Sequence, residues 1–219
     1  MSPKLISSEI FATLLNDDEI VLIDTRPSIQ FVNGFIPGSL SAPLHDKFAA
    51  EFISVLGSNT QVVLICLPEE TALCTEWLNH SGIQHVKGIL EGGYTQWERF
   101  NSRKKDMIIE IEPDELAMDL PHDDALLAVD VRTPSEYADG HISGAFNLPL
   151  NDMKDPAGIA MLPESANLYL YCSDGTRSII AASVLKSHGI HELRVISGKW
   201  ETIRNTEGID IEKDGTTLN

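Results

Sequence analysis

The chain has few cysteines and few basic residues, and each shortage excludes a class of protein. Three cysteines, an odd and widely spaced set among 219 residues, cannot form a disulfide framework, so a reducing cytoplasm is the expected location. Lysine and arginine number 16 against 33 aspartates and glutamates, which gives a formal net charge of −17. Such an acidic surface repels phosphate groups, and we expect neither a nucleic-acid partner nor binding to anionic membranes.

Long apolar runs and cofactor motifs are missing as well. No apolar run approaches the length of a membrane span, and residues 1–15 lack the basic segment and apolar core of a signal peptide. The seven histidines show no ligand spacing with cysteines or carboxylates, and no glycine-rich nucleotide loop is present. We therefore expect no metal and no other cofactor.

Short aliphatic runs alternate with amphipathic ones along the chain. The aliphatic runs are nearly uninterrupted, which is typical of strands that are covered on both faces. An alternation of strand and helix predicts an α/β fold in which a parallel sheet has helices on both faces. The predicted strands are 20–23, 62–67, 126–131 and 168–172, and the predicted helices are 8–15, 47–56, 70–79, 113–120 and 178–187.

The two halves of the chain carry the same pattern, 106 residues apart. This shift maps Asp24-Thr25-Arg26 onto Asp130-Val131-Arg132, and it maps Cys66 onto Cys172. A period near half the chain is too long for a solenoid repeat and predicts two copies of one globular domain. The polar segment 101–106 is the expected linker, so we predict domains at 1–103 and 104–219.

The segment around Cys172 is the strongest candidate for a site. A predicted buried strand ends at this cysteine, a short polar loop with one glycine and Arg177 follows, and a helical run begins at Ser178. A strand that enters a helix through a tight loop aims backbone N–H groups at the space around the sulfur. The helix dipole and Arg177 both favour the thiolate there. Cys172 is therefore the predicted nucleophile rather than a small buried apolar side chain.

Further motifs recur in the same order in both halves. The second half has Asp130-Val131-Arg132, Glu136-Tyr137, Gly140-His141-Ile142-Ser143-Gly144-Ala145 and the cysteine loop; the first has Asp24-Thr25-Arg26, Phe31, Gly34-Phe35-Ile36-Pro37-Gly38-Ser39 and Leu90-Glu91-Gly92-Gly93-Tyr94 with Trp97. Over nearly the whole chain, this ordered set resembles two tandem rhodanese homology domains. The resemblance implies an α/β fold of two tandem rhodanese-like domains, each a parallel sheet flanked by helices.

The activity that this resemblance implies is sulfur transfer. The Cys172 thiolate would take a sulfane sulfur from a small-molecule donor, thiosulfate or a persulfide, carry it as a persulfide and pass it to a thiol or another thiophilic acceptor. No cofactor is needed for these steps. The implied substrate-binding residues are those of the loop, namely Ser173, Asp174, Gly175, Thr176, Arg177 and Ser178.

Two features of the loop bear on the donor. The loop from Cys172 to Arg177 has the six-residue length of the sulfurtransferases, whereas a rhodanese-like phosphatase has one residue more. Ser173 stands where a basic residue often follows the cysteine, and Asp174 adds a negative charge. Both changes weaken the attraction of a dianion, so thiosulfate is not the expected preferred donor.

The matching loop of the first half has lost several of these features. It runs from Cys66 to Thr71 without a glycine, and Pro68 lacks the N–H that an anion cradle needs. Two glutamates in the loop raise the pKa of a nearby thiol. We therefore expect the first domain to be inactive, with Cys66 a structural remnant and Cys74 a core residue.

Other residues of the shared motifs are expected to be structural. Asp130 and Arg132, like Asp24 and Arg26, should form ion pairs at the ends of buried strands. His141 should satisfy a backbone group rather than carry protons.

Two other classes of function stay open. The chain could be a non-catalytic binding or regulatory module, as the first half already suggests. It could also act on oxyanions as a phosphatase or arsenate reductase, against which the short loop argues. Tandem domains of this kind also resemble the carboxyl-terminal part of fusions with a persulfide dioxygenase, so membership of such a fusion is a further hypothesis.

Overall fold

The computed structural model describes residues 3–15, 17, 19–44, 46–54, 56, 59–101 and 103–214. These residues form two compact units, one reaching Met107 and including 186–188, the other holding the rest. Each unit has a five-stranded parallel sheet flanked by helices, which confirms the predicted α/β fold. The predicted boundary between residues 103 and 104 stays a prediction. Residues 1, 2, 16, 18, 45, 55, 57, 58, 102 and 215–219 of the predicted domains, linker and helix 47–56 lie outside the described residues.

The sheet of the first unit has the strand order β1-β5-β4-β2-β3, with every neighbouring pair parallel. Its core includes Phe11 and Trp97, whose rings meet edge to face at 5.1 Å. The strands are β1 (Leu5–Ile6), β2 (Ile20–Asp24), β3 (Ser39–Ser41), β4 (Gln61–Ile65) and β5 (His85–Leu90). The helices are α1 (Ser8–Leu14), α2 (Ser28–Val32), α3 (Lys47–Ser54), α4 (Thr71–His80) and α5 (Gly93–Phe100).

The second unit repeats this sheet in the order β6-β11-β10-β7-β9, again all parallel. A separate antiparallel pair joins β12 to β8. The strands are β6 (Ile109–Ile111), β7 (Leu126–Asp130), β8 (His141–Ile142), β9 (Phe146–Asn147), β10 (Asn167–Tyr171), β11 (Leu193–Ile196) and β12 (Ile211–Glu212). The helices are α6 (Pro113–Asp119), α7 (Pro134–Ala138), α8 (Pro156–Ile159), α9 (Thr176–Ser187) and α10 (Trp200–Ile203).

Strand β10 and helix α9 form the buried centre of the second unit. The strand lies in the middle of the sheet, and residues 168–171 are at most 2% exposed. Residues 177–185 of α9 are buried without interruption, so this helix belongs to the interior and has no polar outer face. Because both elements are buried, the short connection between them has a defined place at the carboxyl edge of the sheet.

Buried ion pairs close the strands β2 and β7, as predicted. Arg132 donates from Nε and Nη2 to the Asp130 carboxylate and from Nη2 to the Gly140 carbonyl, and both charged residues are at most 3% exposed. Arg26 does the same with Asp24 and the carbonyl of residue 34. Since each arginine joins a strand-end carboxylate to a backbone carbonyl, the structure supports the predicted structural role of these pairs.

His141 also has the predicted structural role. Its Nδ1 lies 2.9 Å from the carbonyl oxygen of Tyr137, and its Nε2 lies 3.2 Å from the carboxylate of Glu212 on β12. The same carboxylate accepts from the Gly144 amide at 2.9 Å. Strand β12 is thereby tied to the motif around His141.

None of the helices formed by the described residues is both long enough and apolar enough to cross a membrane.

Candidate active site

The candidate site is the connection between β10 and α9, residues 172–175. Cys172 directly follows the last residue of β10, and Thr176 begins α9. The turn depends on Gly175, whose φ of +92° is a conformation that side chains with a Cβ rarely adopt. A strand, a tight turn and a helix therefore place the sulfur where the sequence predicts it.

Three neighbours surround the sulfur of Cys172. The Gly175 N–H donates to Sγ at 3.1 Å. The hydroxyl of Ser178 lies 3.5 Å from Sγ and donates to the Gly175 carbonyl at 2.8 Å. The carboxylate oxygen Oδ1 of the exposed Asp174 lies 3.6 Å from Sγ. The sulfur is therefore in contact with one amide donor, one hydroxyl and one carboxylate.

The thiol of Cys172 is more deeply buried than the sequence suggested. Only 1% of the residue is exposed, and this burial raises the pKa of the thiol above its ordinary value. Hydrogen bonds with Ser178 and with the loop backbone act in the opposite direction, and the charge of Asp174 raises the pKa further. The expectation that the helix dipole and Arg177 favour the thiolate is thus opposed by desolvation.

Arg177 points to a carboxylate of its own domain. Its Nη1 and Nη2 donate to the two oxygens of Glu136 at 2.8 and 2.7 Å, and Nη2 also donates to Ser173 Oγ at 2.6 Å. The guanidinium is 4% exposed. This bidentate pair is the strong form of an ion pair, and it holds both ends of the loop to α7.

Glu136 is a site residue that the sequence analysis did not assign. It forms a capping box with Thr133, whose amide and hydroxyl donate to it at 3.0 and 2.9 Å. The hydrogen bonds from Arg177 lower the pKa of Glu136 to about 2. One sequence signal could have revealed the pair: at the matching positions of the first half, Gln30 replaces Glu136 and Thr71 replaces Arg177.

The six predicted substrate-binding residues lie in the connection and in the first turn of α9, with different contacts. Gly175, Ser178 and Asp174 contact the sulfur, as described above. Ser173 accepts from Arg177, and the Thr176 amide donates to Asp174 Oδ1 at 3.1 Å. The substrate-binding role of the six residues stays a prediction.

The corresponding loop of the first unit has a different environment. Among the described residues, no backbone N–H donates to the sulfur of Cys66, whose hydroxyl neighbour is Thr71 Oγ1 at 3.9 Å. The neighbouring thiol of Cys74 and burial raise the pKa of Cys66. Cys74 is fully buried in α4, 3.2 Å from the Thr25 hydroxyl, which confirms its place in the core.

In the described part of the chain, no three His, Cys, Asp or Glu side chains are placed to hold a metal ion.

Comparison with known proteins gives one family in both halves. The model of the rhodanese-like domain matches residues 7–100 and 112–206. A sulfurtransferase of Allochromatium vinosum is 34% identical over 83 residues, which cover 38% of this chain and 76% of that protein. A thiosulfate sulfurtransferase of Stutzerimonas stutzeri is 35% identical over 86 residues, 39% of this chain and 77% of that protein. A solved rhodanese-like domain from Anabaena is 28% identical with a TM-score of 0.44, covering 49% of this chain and 80% of that one.

Proposed function

Because the chain belongs to the family of rhodanese-like domains, we propose that its second domain is a sulfurtransferase that carries a sulfane sulfur on Cys172. The observation that carries this proposal is the Gly175 N–H, which donates to the sulfur at 3.1 Å. An amide fixed in this direction stabilises negative charge on sulfur before and after transfer. The sulfurtransferases among the relatives support the same chemistry.

The first half-reaction loads the cysteine. The Cys172 thiol loses its proton, for which the exposed Asp174 carboxylate at 3.6 Å is a placed acceptor. The thiolate then forms a bond to the sulfane sulfur of the donor. The bond from that sulfur to the rest of the donor breaks, and its electron pair leaves with the remainder as a thiolate or sulfite. The product is a persulfide on Cys172.

The second half-reaction returns the enzyme to its starting state. A thiolate acceptor attacks the outer sulfur of the persulfide, and the electron pair of the broken S–S bond returns to Cys172. The Gly175 N–H again faces the charge that develops on this sulfur. Two separate half-reactions predict ping-pong kinetics with no cofactor.

A persulfide is the proposed donor. Asp174 lies beside the sulfur, and the positive charge of Arg177 is already paired with Glu136. A dianion such as thiosulfate therefore meets no unpaired positive charge within the loop. At the reacting sulfurs a persulfide carries at most one negative charge, one fewer than thiosulfate, so Asp174 repels it less.

The depth of Cys172 favours a second candidate, a binding module without catalysis. A thiol that is 1% exposed can also be a core residue. The two candidates differ in whether Cys172 ever acquires sulfur.

The first prediction distinguishes them. After incubation with glutathione persulfide, we expect the intact protein to gain the mass of one sulfur atom, on Cys172, and to lose it again on treatment with a thiol. Cys172→Ser should gain none. The measurement is intact mass spectrometry followed by peptide mapping. A wild-type protein that remains unmodified, while still folded, would leave the binding module as the better account.

A further inference from the structure

We propose that Glu136 determines the donor specificity of the second domain: by neutralising Arg177, it makes the site discriminate against dianionic sulfur donors. This inference rests on the proposed sulfur transfer and assigns a residue to its specificity. Glu136 does not touch the sulfur. It acts through Arg177 and is therefore a positioning residue.

The geometry of the pair fixes the charge of Arg177 in place. Both terminal nitrogens are bound to Glu136, and Nη2 also holds Ser173, the residue next to Cys172. Glu136 is itself held by the amide and hydroxyl of Thr133 at the start of α7. The Glu136 carboxylate thus links the start of α7 to Arg177 on α9, and its negative charge stays next to the guanidinium that it neutralises.

Within the segment 172–178, Asp174 is the charge that Glu136 does not offset. Arg177 is the one basic residue between positions 172 and 178, and Glu136 offsets it, which leaves Asp174 at 3.6 Å from Sγ. Helix α10 also contacts this segment, since the Trp200 amide donates to the Ser173 carbonyl. The residues on either side, Lys199 and Glu201, are exposed and of opposite sign, so their charges offset each other and are screened by water.

The two halves of the chain support a joint role for the pair. The first half has an uncharged residue at each matching position, Gln30 and Thr71, and its loop has also lost the glycine. The glutamate and the arginine are thus present together in one half and absent together in the other. Glu136→Gln introduces the side chain that the first half already has.

Two sulfur donors of different charge can show whether the site responds to the charge of the donor. Thiosulfate is a dianion that releases sulfite, whereas benzenethiosulfonate is a monoanion that releases benzenesulfinate. In both, the sulfane sulfur is bound to an oxidised sulfur, so the donors present similar atoms at the reacting centre and differ by one negative charge. Removing the charge of Glu136 takes away the bidentate counter-charge of Arg177 and makes the site less negative by one charge, which should help the dianion more.

The test measures kcat and KM for both donors with cyanide as acceptor. In Glu136→Gln, we expect kcat/KM for thiosulfate to rise about tenfold through a lower KM, and kcat/KM for benzenethiosulfonate to change less than about threefold. Arg177→Gln, which keeps the carboxylate, should shift the preference in the opposite direction. Glu136→Asp keeps the charge and should keep the wild-type preference. Glu207→Gln removes one exposed carboxylate of the same domain and controls for the change in net charge.

Each of the following outcomes would contradict the proposed role of Glu136 in donor specificity. Equal changes for both donors in Glu136→Gln would mean that the residue only supports the loop structure. The same shift in Glu207→Gln would mean that net charge is responsible. If Glu136→Gln does not fold, the opposite shift expected of Arg177→Gln still decides the matter. A folded wild-type protein that takes sulfur from neither donor, nor from glutathione persulfide, overturns the proposed function and this inference together.

Discussion

At the scale of single residues, the candidate site depends on Cys172 at the edge of the sheet and on the ion pair between Arg177 and Glu136. Cys172 follows from the order of strand, polar loop and helix, because that order alone places it at the edge of the sheet. The partner of Arg177 does not follow, since Glu136 lies 41 residues away in sequence. Nor does the depth of the sulfur, which is set by the packing of β10 and α9. The local sequence pattern therefore predicts the position of the loop, whereas tertiary contacts determine which charges are paired around it.

Gly175 allows a second prediction at this scale. A Cβ at φ +92° is strained, so Gly175→Ala should lower the free energy of unfolding by about 1–2 kcal/mol. It should also slow sulfur loading of Cys172 because the amide at 3.1 Å is displaced. Gly189→Ala is the matched control, since its φ of +84° imposes similar strain away from the sulfur. Urea unfolding and loading rates measure the two effects. Equal loading rates in both variants would argue against a role for the Gly175 amide.

The pKa of Cys172 gives a third prediction. Burial raises this pKa, so the rate of alkylation by iodoacetamide should reach half its maximum at a higher pH than for an unburied cysteine. Glu136→Gln should move that midpoint to lower pH, because the loss of one nearby negative charge favours the thiolate. The rate is followed by mass spectrometry between pH 6 and about 10, a range that spans the ordinary pKa of a cysteine. A midpoint that does not move would show that Arg177 and the sulfur are not electrostatically coupled.

At the scale of elements, the uninterrupted aliphatic strands were predictable, whereas β5 and β11, which polar residues interrupt, and the shorter elements were not. The predicted strands 20–23, 62–67, 126–131 and 168–172 agree with β2, β4, β7 and β10 to within two residues at either end. Strands of two or three residues and single-turn helices were not predicted, because a periodic pattern needs more residues than they contain. Glu136 lies on one such helix, α7, and this is why its role became apparent only in the structure.

The ion pair between α7 and the loop predicts a dependence of stability on pH. The folded pKa of Glu136 is lowered from 4.5 to about 2. A lowered pKa gives stability that is present above the unfolded value and is lost as the pH falls from about 4.5 towards 2. The melting temperature of the wild type should therefore exceed that of Glu136→Gln at pH 7, and the difference should shrink below pH 4.5. A difference that stays constant down to pH 3 would exclude this linkage.

At the scale of the whole molecule, the repeat was the most reliable sequence signal. A shift of 106 residues predicted two copies of one domain, and the two sheets indeed have matching strand orders. The buried ion pairs at the ends of β2 and β7 match as well. The copies differ in the cysteine loop, where a fold can tolerate change because the loop carries little of the core.

This difference between the two loops predicts that Cys172, and not Cys66, accepts sulfur from a donor. Cys66→Ser should load sulfur on Cys172 at the wild-type rate, because the first loop offers its sulfur no amide donor among the described residues. Peptide mapping after incubation with a persulfide measures the site of modification. Sulfur on Cys66 in the wild-type protein would reverse the assignment of the two domains.

The uninterrupted burial of helix α9 has a consequence for turnover. Nine consecutive buried residues leave a donor no path to the sulfur along this helix. Residues 173–175 of the connection are half-buried or exposed, so we expect a donor to approach Cys172 from their side. Movement of these three peptide units should then govern how fast a donor reaches the buried sulfur.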